Sequence, residues 1–452
     1  MAEFSKKMIR QSHHPESSRR ITGEITISAA KYSKIQKEIK NIASLEKKIV
    51  SCLGEEITEI LEVIIGGAMA LEASDIHIEP LEEKARIRSR IDGILQDILF
   101  IEKKIYETLL SRIKLLSGIK FNISDRPQDG RFSIIVEAKD KKDEEAIEIR
   151  SSTLPAEHGE AIVLRILNPK NLIDMESLGL RQDLFEIFKR QIQKPNGMII
   201  VTGPTGSGKT TTLYSFLKKL QKPEIKIITI EDPIEYHLEG VSQTQVAPEK
   251  GYDFASGLKS IMRQDPDVVL VGEIRDLETA NIALQAALTG HLVFTTLHTN
   301  DAAGTIVRIQ ALGEKPANIA PAVSLTVAQR LVRKICEKCT KLEKPSDEDL
   351  KKMKKELNSL KIRFPKITPA TKIPKAVGCK ECNSTGYRGR MGIFEALLID
   401  DEMEKFILTS PSIAAFREKA VKKGMITMKQ DGLIKVLGGV TTIEEVNRVA
   451  GE

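Results

Sequence analysis

The sequence predicts an α/β protein: a parallel-sheet domain, an α+β domain ahead of it, and a small cysteine-bearing subdomain and helical C-terminus behind it. Three observations carry that reading. Four apolar runs, "GMIIVTG", "IKIITIED", "DVVLVGE" and "HLVFTTLH", lie between helical stretches and none alternates strictly, the pattern of parallel strands buried on both faces. Upstream, "SDIHIEP" and "ARIRSRIDGIL" do alternate, as strands with one wet face do. After about residue 335 the pattern changes again, to two Cys-x-x-Cys pairs, Cys336/Cys339 and Cys379/Cys382.

Taken in order, residues 1–54 read as a flexible basic tail and one helix, in which Ile35, Ile39, Ile42, Leu45 and Ile49 fall at helical spacing. A second amphipathic helix runs from about 55 to Glu72. It opens the α+β domain, 55–167. There Ile76 and Ile78 share a face, Ile87 and Ile91 oppose Arg86, Arg88 and Arg90, and Asp92-Gly93 makes a hairpin turn. A helix is expected near 103–117. Strands follow in "GRFSIIVEA", "EAIEIRSS" and "EAIVLRIL", with the charged turn "KDKKDEE" between the first two. Residues 168–178 read as a hinge linker, 179–335 as the parallel-sheet core, 336–392 as a tetracysteine subdomain with a Lys-rich insert, and 393–452 as helical. In the insert Ser346 is placed as a helix N-cap, and Leu350, Met353, Leu357 and Leu360 form a narrow apolar stripe. It reads as a short helix packed on the body with a solvated lysine face; a docking surface for anionic lipid or an acidic loop is the alternative.

Composition excludes several classes. With 452 residues, 41% hydrophobic and 29% charged, the chain has the makeup of a multidomain globular protein and not of a disordered one. Aromatics are 4% and Trp is absent, which argues against binding that stacks bases on aromatic rings. No apolar run approaches membrane length, and the N-terminus lacks the apolar segment of a secretory leader. A cytoplasmic protein with reduced thiols is therefore expected. The net charge of +6 is compatible with an anionic partner without identifying one.

"GPTGSGKT", from Gly203 to Thr210, fits G-x-x-x-x-G-K-[ST] and lies between a strand and a helix, the context that motif requires. Gly203, Pro204, Thr205, Gly206, Ser207 and Gly208 form a loop whose N–H groups can approach phosphates at a helix N-terminus. Lys209 reaches the outer phosphates, the Thr210 hydroxyl ligates Mg²⁺, and Thr211 continues the helix start. ATP with Mg²⁺ is the expected ligand. The other three apolar runs end in Glu231-Asp232, Glu273 and His298. In open α/β sheets ligands bind beyond the carboxyl ends of the strands. Glu273 is thus assigned to orient or deprotonate a water, Glu231, Asp232 and Glu235 to an acidic cluster for metal or water, and His298 to sensing the γ-phosphate.

These motifs together resemble the GspE/PilB family of secretion-superfamily ATPases, which serve type II secretion and type IV pilus assembly. "GPTGSGKTTTLYSFL", "ITIEDPIEYHLEGVSQTQV", "IMRQDPDVVLVGEIRDLETANIALQAALTGH" and "HLVFTTLHTNDA" are similar to its Walker A, Asp, Walker B and His boxes. "ASDIHIEP", "RSRIDG", "RPQDGRFS" and "RSSTLPAEHGE" resemble its N2 domain, and "GCKECNSTGYRGRMGIFE" its cysteine region. The resemblance implies a RecA-like ATPase core after a PAS-like N2 domain. It implies a homo-hexamer at the cytoplasmic face of the inner membrane. Its partners would be a membrane platform protein and that platform's cytoplasmic recruiting partner, with no specific nucleic acid. Hydrolysis would move domains and so add pilins to a filament. Arg131 and Arg150 lie in segments matching the family and are assigned as arginine fingers, with Arg112 as a third candidate. Many members carry a larger N1 domain where about 50 residues precede the N2 motifs here, so either a reduced recruitment module or a shortened chain is expected. A nucleic-acid-stimulated motor, a non-catalytic nucleotide-binding module, and a DNA-uptake or retraction ATPase of the same superfamily are the alternatives.

The cysteine pairs then read as two knuckles for a structural tetrahedral Zn²⁺, ahead of redox or disulfide chemistry. The gap between them exceeds the usual ribbon spacing of roughly 15–20 residues, and the Lys-rich insert accounts for the excess. Lys380, Arg388 and Arg390 can offset the charge of four thiolates. Cys52, left over, reads as a small buried residue.

Overall fold

A computed structural model describes residues 23–137 and 144–451. The chain divides into two compact units, one ending at Leu167 and one beginning at Asn168.

In the first unit the elements run β1 (Glu24–Ile27), α1 (Ala29–Glu38), α2 (Ile42–Cys52), α3 (Ile57–Ala70), β2 (Asp75–Pro80), β3 (Lys84–Ile91), β4 (Ile94–Glu102), α4 (Lys103–Ser117), β5 (Gln128–Val136), β6 (Glu145–Ala156) and β7 (Gly159–Leu167). The strands form one sheet in the order β1-β5-β6-β7-β2-β3-β4, antiparallel except for the β1–β5 edge. Ile76, Ile78, Ile87 and Ile91 are buried as their alternation predicts, in one core with residues of all four helices. The Asp92-Gly93 turn has both residues at positive φ, the conformation a two-residue hairpin needs.

Three expectations are corrected here. The tail does not stay irregular up to its helix: β1 pairs with β5 and buries Ile25 and Ile27, though residues 1–22 lie outside the described residues. A four-residue strand gives too short an alternation to read. The single helix is two, because Asn41 and Ser44 form a reciprocal capping box that starts α2 afresh. The helix expected to be amphipathic is α3, which is buried on nearly all sides from Ile60 to Met69. Cys52 is half-buried against the same core. The turn expected at "KDKKDEE" falls mostly outside the described residues.

The second unit contains α5 (Gln182–Ile192), β8 (Gly197–Thr202), α6 (Lys209–Leu220), β9 (Ile227–Glu231), β10 (Ser242–Gln245), α7 (Phe254–Ile261), β11 (Val268–Val271), α8 (Leu277–Leu288), β12 (Leu292–Leu297), α9 (Ala302–Ala311), α10 (Pro316–Ala322), β13 (Val323–Ile335), β14 (Lys341–Glu343), α11 (Asp347–Leu357), β15 (Ile373–Lys375), β16 (Tyr387–Leu398), α12 (Asp401–Ile407), α13 (Ile413–Lys422), α14 (Met428–Leu437) and α15 (Ile443–Ala450). Its main sheet has the order β10-β9-β11-β12-β8-β13-β16 and is parallel except for β16. The four apolar runs are β8, β9, β11 and β12. Their alternate residues enter two different cores: Met198 and Ile200 pack with α7 to α10, whereas Ile199 and Val201 pack with α5 and α6. Burial on both faces is why these runs do not alternate.

The sheet also extends into sequence that was expected to lie outside it. The boundary read at 392–393 falls inside β16, which pairs with β13 from Leu325↔Leu398 to Ile335↔Tyr387. The stretch read as a linker is partly core, since Met175 and Leu178 are buried against α5 and α6. Ser346 caps α11, whose Leu350, Met353 and Leu357 are buried. The C-terminal helices are fixed by buried charge. Asp431 on α14 accepts hydrogen bonds from Arg181 at 2.7 Å, Lys435 at 2.7 Å and the Phe394 amide at 2.8 Å. A carboxylate with no exposure survives there because both its oxygens accept hydrogen bonds, two of them from cations.

Candidate functional site

The loop from Gly203 to Gly208 leaves β8 and enters α6. Gly203, Gly206 and Gly208 all have positive φ. At Gly203 a Cβ would lie 2.6 Å from both the Gln329 carbonyl and Ser207 Oγ, so only glycine fits this crossing. Lys209 Nζ donates to the Gly203 carbonyl at 2.7 Å and the Pro204 carbonyl at 3.2 Å, folding over the loop that it follows. Burial lowers its pKa, Glu273 opposes that shift, and Arg330 adds to it. Thr210 and Thr211 stand half-buried in the first turn of α6.

The ends of β8, β11 and β12 are tied together. Thr202 Oγ1 donates to the Leu297 carbonyl at 2.9 Å and accepts from the Thr299 amide at 2.8 Å. Thr296 Oγ1 donates to the Gly272 carbonyl at 2.7 Å. These bonds bring Glu273 and His298 into contact, Nε2 to Oε2 at 3.2 Å. Arg275 pairs with the other Glu273 oxygen and reaches Asp232 at 3.5 Å. Arg275 was not singled out by sequence, although it lies two residues past Glu273 in a quoted motif.

Glu231 has a different setting from the one expected. Its carboxylate is 4% exposed. It accepts from Tyr214 Oη, from Thr229 Oγ1 at 2.6 Å and from Gln243 Nε2 at 3.2 Å. Burial raises its pKa, and the nearby Glu235 adds to the shift. Tyr214 is driven up in turn, by burial first and then by Glu231. A carboxylate with three internal donors is committed to holding β9, β10 and α6 together. Asp232, one residue on, is exposed at the strand end, where Arg275 reaches it.

In the first unit, Arg131, Arg150 and Arg165 stand opposite one another on β5, β6 and β7, and Asp75 on β2 continues the row. Cross-strand partners share a face, so the two assigned arginines are joined by a third, Arg165, which sequence alone did not pick out. Arg165 pairs with Asp75 at 3.0 Å, and Arg150 with Glu148 at 3.1 Å. Arg112 lies on α4, off this row, and its Nε is buried without a hydrogen-bond partner.

The cysteines converge. Cys336 follows the last residue of β13, and Cys379 and Cys382 precede β16. The four Sγ atoms lie within 4.8 Å of one another, with Cys336–Cys379 at 3.9 Å, Cys339–Cys382 at 3.8 Å and Cys379–Cys382 at 3.7 Å. A tetrahedral zinc with Zn–S bonds near 2.3 Å sets sulfurs about 3.8 Å apart, so the cluster fits that ion and no disulfide joins the pairs. Burial opposes ionisation of Cys382, but the Cys379 and Gly386 amides, each 3.2 Å from its sulfur, hold the thiol down at about 7. Burial pushes Cys339 up to about 12.

The sequence profile of the type II/IV secretion system protein family matches residues 54–448. The type II secretion system ATPase E of Vibrio cholerae is 44% identical over 398 residues, 88% of this chain and 76% of that protein. The type IV pilus assembly ATPase PilB of Thermus thermophilus is 43% identical over 389 residues, 86% of this chain but 42% of its own length. Among solved structures, the pilus retraction motor PilT with bound ADP is 28% identical, with a TM-score of 0.57 over 86% of this chain and 96% of that one. The Legionella pneumophila ATPase DotB shares the fold at 22% identity, with a TM-score of 0.61 over 86% of this chain and 95% of that one.

Proposed function

The chain belongs to the type II/IV secretion system protein family, and on that premise we propose how its residues turn ATP hydrolysis into work. It is an ATP hydrolase of the P-loop class. The observation that carries the reading is the convergence of Lys209, Glu273 and His298 at the carboxyl ends of three adjacent parallel strands.

The backbone N–H groups of Gly203 and of residues 205–208, with Lys209, bind the polyphosphate. The Thr210 hydroxyl and the Glu273 and Asp232 carboxylates are oxygen donors of the kind Mg²⁺ takes; they would hold the ion, which would neutralise phosphate charge. Glu273 orients the attacking water and accepts its proton. His298 holds the second face of that carboxylate and reads the terminal phosphate. Arg275 occupies Glu273 in the present geometry and must release it for catalysis. Glu231 shapes the site from behind. Arg131 and Arg150 act from the first unit, in this or a neighbouring subunit, as cations for the transition state.

Cys336, Cys339, Cys379 and Cys382 would hold zinc, which would supply a structural crosslink between the ends of β13 and β16. In the assembled state we assign a homo-hexamer on the cytoplasmic face of an inner membrane, docked on a platform protein and its recruiting partner. ATP turnover there biases an open–closed equilibrium about residues 168–174 and drives pilin or pseudopilin addition. Among the described residues no helix is long and apolar enough to cross a membrane. The test is ATP turnover by the assembled ring, sized by electron microscopy, with Glu273→Gln as the inactive reference; a Glu273→Gln ring that turns over as fast as wild type overturns the reading.

A further inference from the structure

We propose that Arg330 is a second phosphate-binding cation of the nucleotide site, working beside Lys209 from the same chain; the inference rests on the nucleotide reading above. Register places it there. β13 lies alongside β8 with Ala328 opposite Thr202, so Gln329 and Arg330 run beside the start of the phosphate loop. Gln329 props that loop: its Nε2 donates to the Ser207 carbonyl at 2.7 Å, and its own carbonyl abuts Gly203.

Arg330 Nη1 donates to this same Gln329 carbonyl at 3.1 Å, and Nη2 donates to the Asn300 carbonyl at 3.2 Å. The guanidinium therefore lies between the loop after β8, which leads into Lys209, and the loop after β12, which carries His298. Both of its hydrogen bonds go to neutral carbonyls. Among the described residues, no carboxylate comes within ion-pairing distance of it; Glu395 and Asp301 act only from further away.

Lys209 is likewise held by two carbonyls. Burial lowers the pKa of both cations, and Arg330 works against the charge on Lys209, which Glu273 offsets in part. Two half-buried cations resting on dipoles leave positive charge that an anion can satisfy. The planar fork of Arg330 can exchange its carbonyl partners for two phosphate oxygens, the geometry at which arginine excels. A structural staple between β13 and the Asn300 loop is the competing role, and it needs no ligand.

The test uses the full chain with Mg²⁺, a fluorescent non-hydrolysable ATP analogue, and inorganic tripolyphosphate as competitor. Wild-type protein that fails to bind, or Lys209→Ala that binds as well as wild type, overturns the nucleotide reading and this proposal with it. Given wild-type binding, Arg330→Gln is expected to weaken the analogue and tripolyphosphate alike by about tenfold or more, the size of one lost charge-assisted hydrogen bond. Arg330→Glu is expected to weaken both further, with the ligand-free melting temperature of Arg330→Gln unmoved. Affinities of Arg330→Gln within about twofold of wild type overturn the proposal, as does a loss seen with the analogue but not with tripolyphosphate. Should Arg330→Gln fail to fold, Arg330→Lys decides. It keeps the charge without the fork, and tripolyphosphate affinity between that of wild type and Lys209→Ala supports the proposal, while affinity equal to either one overturns it.

Discussion

Glu273 and His298 stand 25 residues apart in sequence, yet Nε2 of one meets Oε2 of the other at 3.2 Å. The carboxylate is mostly buried and the imidazole is largely exposed, with side-chain exposures of 15% and 54%. The histidine thus covers a fixed anion from the solvent side. Glu273→Gln keeps the shape and removes the carboxylate to which the proposal gives the role of base. ATP hydrolysis should fall by about 10²-fold or more with nucleotide affinity retained, read as phosphate release against equilibrium binding. His298→Ala should cost less, because it removes a contact and leaves the Glu273 carboxylate in place.

Glu231 should behave differently from Glu273. A glutamine in its place can still accept from Thr229 and Gln243 and can donate to Tyr214. Turnover by Glu231→Gln is expected to stay within about threefold of wild type, with the network's geometry kept. Tyr214→Phe, by contrast, leaves a buried carboxylate short of a donor and should lower stability by about 1–3 kcal/mol in denaturant melts. A Glu231→Gln defect as deep as that of Glu273→Gln would return Glu231 to the reacting groups.

A third expectation concerns acid. Glu445 is 1% exposed. It is gripped by Arg333 and Arg448, with N···O distances of 2.6–3.0 Å. Burial alone would raise its pKa, but these two arginines hold it down at about 2. A folded pKa below the ordinary carboxylate value stabilises the fold above the unfolded pKa and stops doing so as pH falls through the folded one. From about pH 4.5 down to about 2, some 3 kcal/mol should drain from the attachment of α15 to β13. Glu445→Gln should therefore destabilise the protein at pH 7 by about that amount, with the gap to wild type closing in acid; a gap independent of pH would count against the arginine clamp.

Removing the metal is a fourth test. Purified protein should carry close to one zinc per chain by elemental analysis, released by a strong chelator or by Cys379→Ser. The predicted result is a lower melting temperature with the parallel strands β8, β9, β11 and β12 intact by circular dichroism. Metal-free protein with wild-type stability would leave the cluster as four idle thiols.

The arginine row gives a fifth. Arg131→Ala or Arg150→Ala should reduce ring turnover by about 10³-fold, the scale of a lost arginine finger, without altering single-chain nucleotide affinity. Equal turnover would reduce the row to a structural role.

The parallel core was legible because burial on both faces leaves a continuous apolar run, and the phosphate loop because glycine spacing and strand–helix context coincide. What escaped reading is equally physical. β16 carries "YRGR" before its apolar half, so its first half looks like loop, and its antiparallel place at the sheet edge depends on a partner, β13, that is distant in sequence. The burial of Glu231 escaped reading because a strand-end carboxylate looks the same in sequence whether it faces solvent or Tyr214. Arg330 and Gln329 sit in "AQRLVRK", where nothing local marks proximity to Gly203. Only the register of β13 against β8 does so. The break at Asn41 was written in the sequence, as Asn and Ser three apart, but the isoleucine stripe runs on through it.

Between Lys341 and Lys375, residues of β14 and β15 that pair directly, the polypeptide departs and returns at the same doorstep. Both its exits are bracketed by cysteines of one cluster. The span between is thus a closed bight, and its α11 packs through Met353 and Leu357 on Ile373 of β15 and on α14. Lengthening such a bight adds entropy cost only as the logarithm of its length. A reporter domain or affinity peptide spliced in between Ile367 and Ile373, past the last side chains that pack on this core, would sit on the bight and leave the parallel sheet undisturbed.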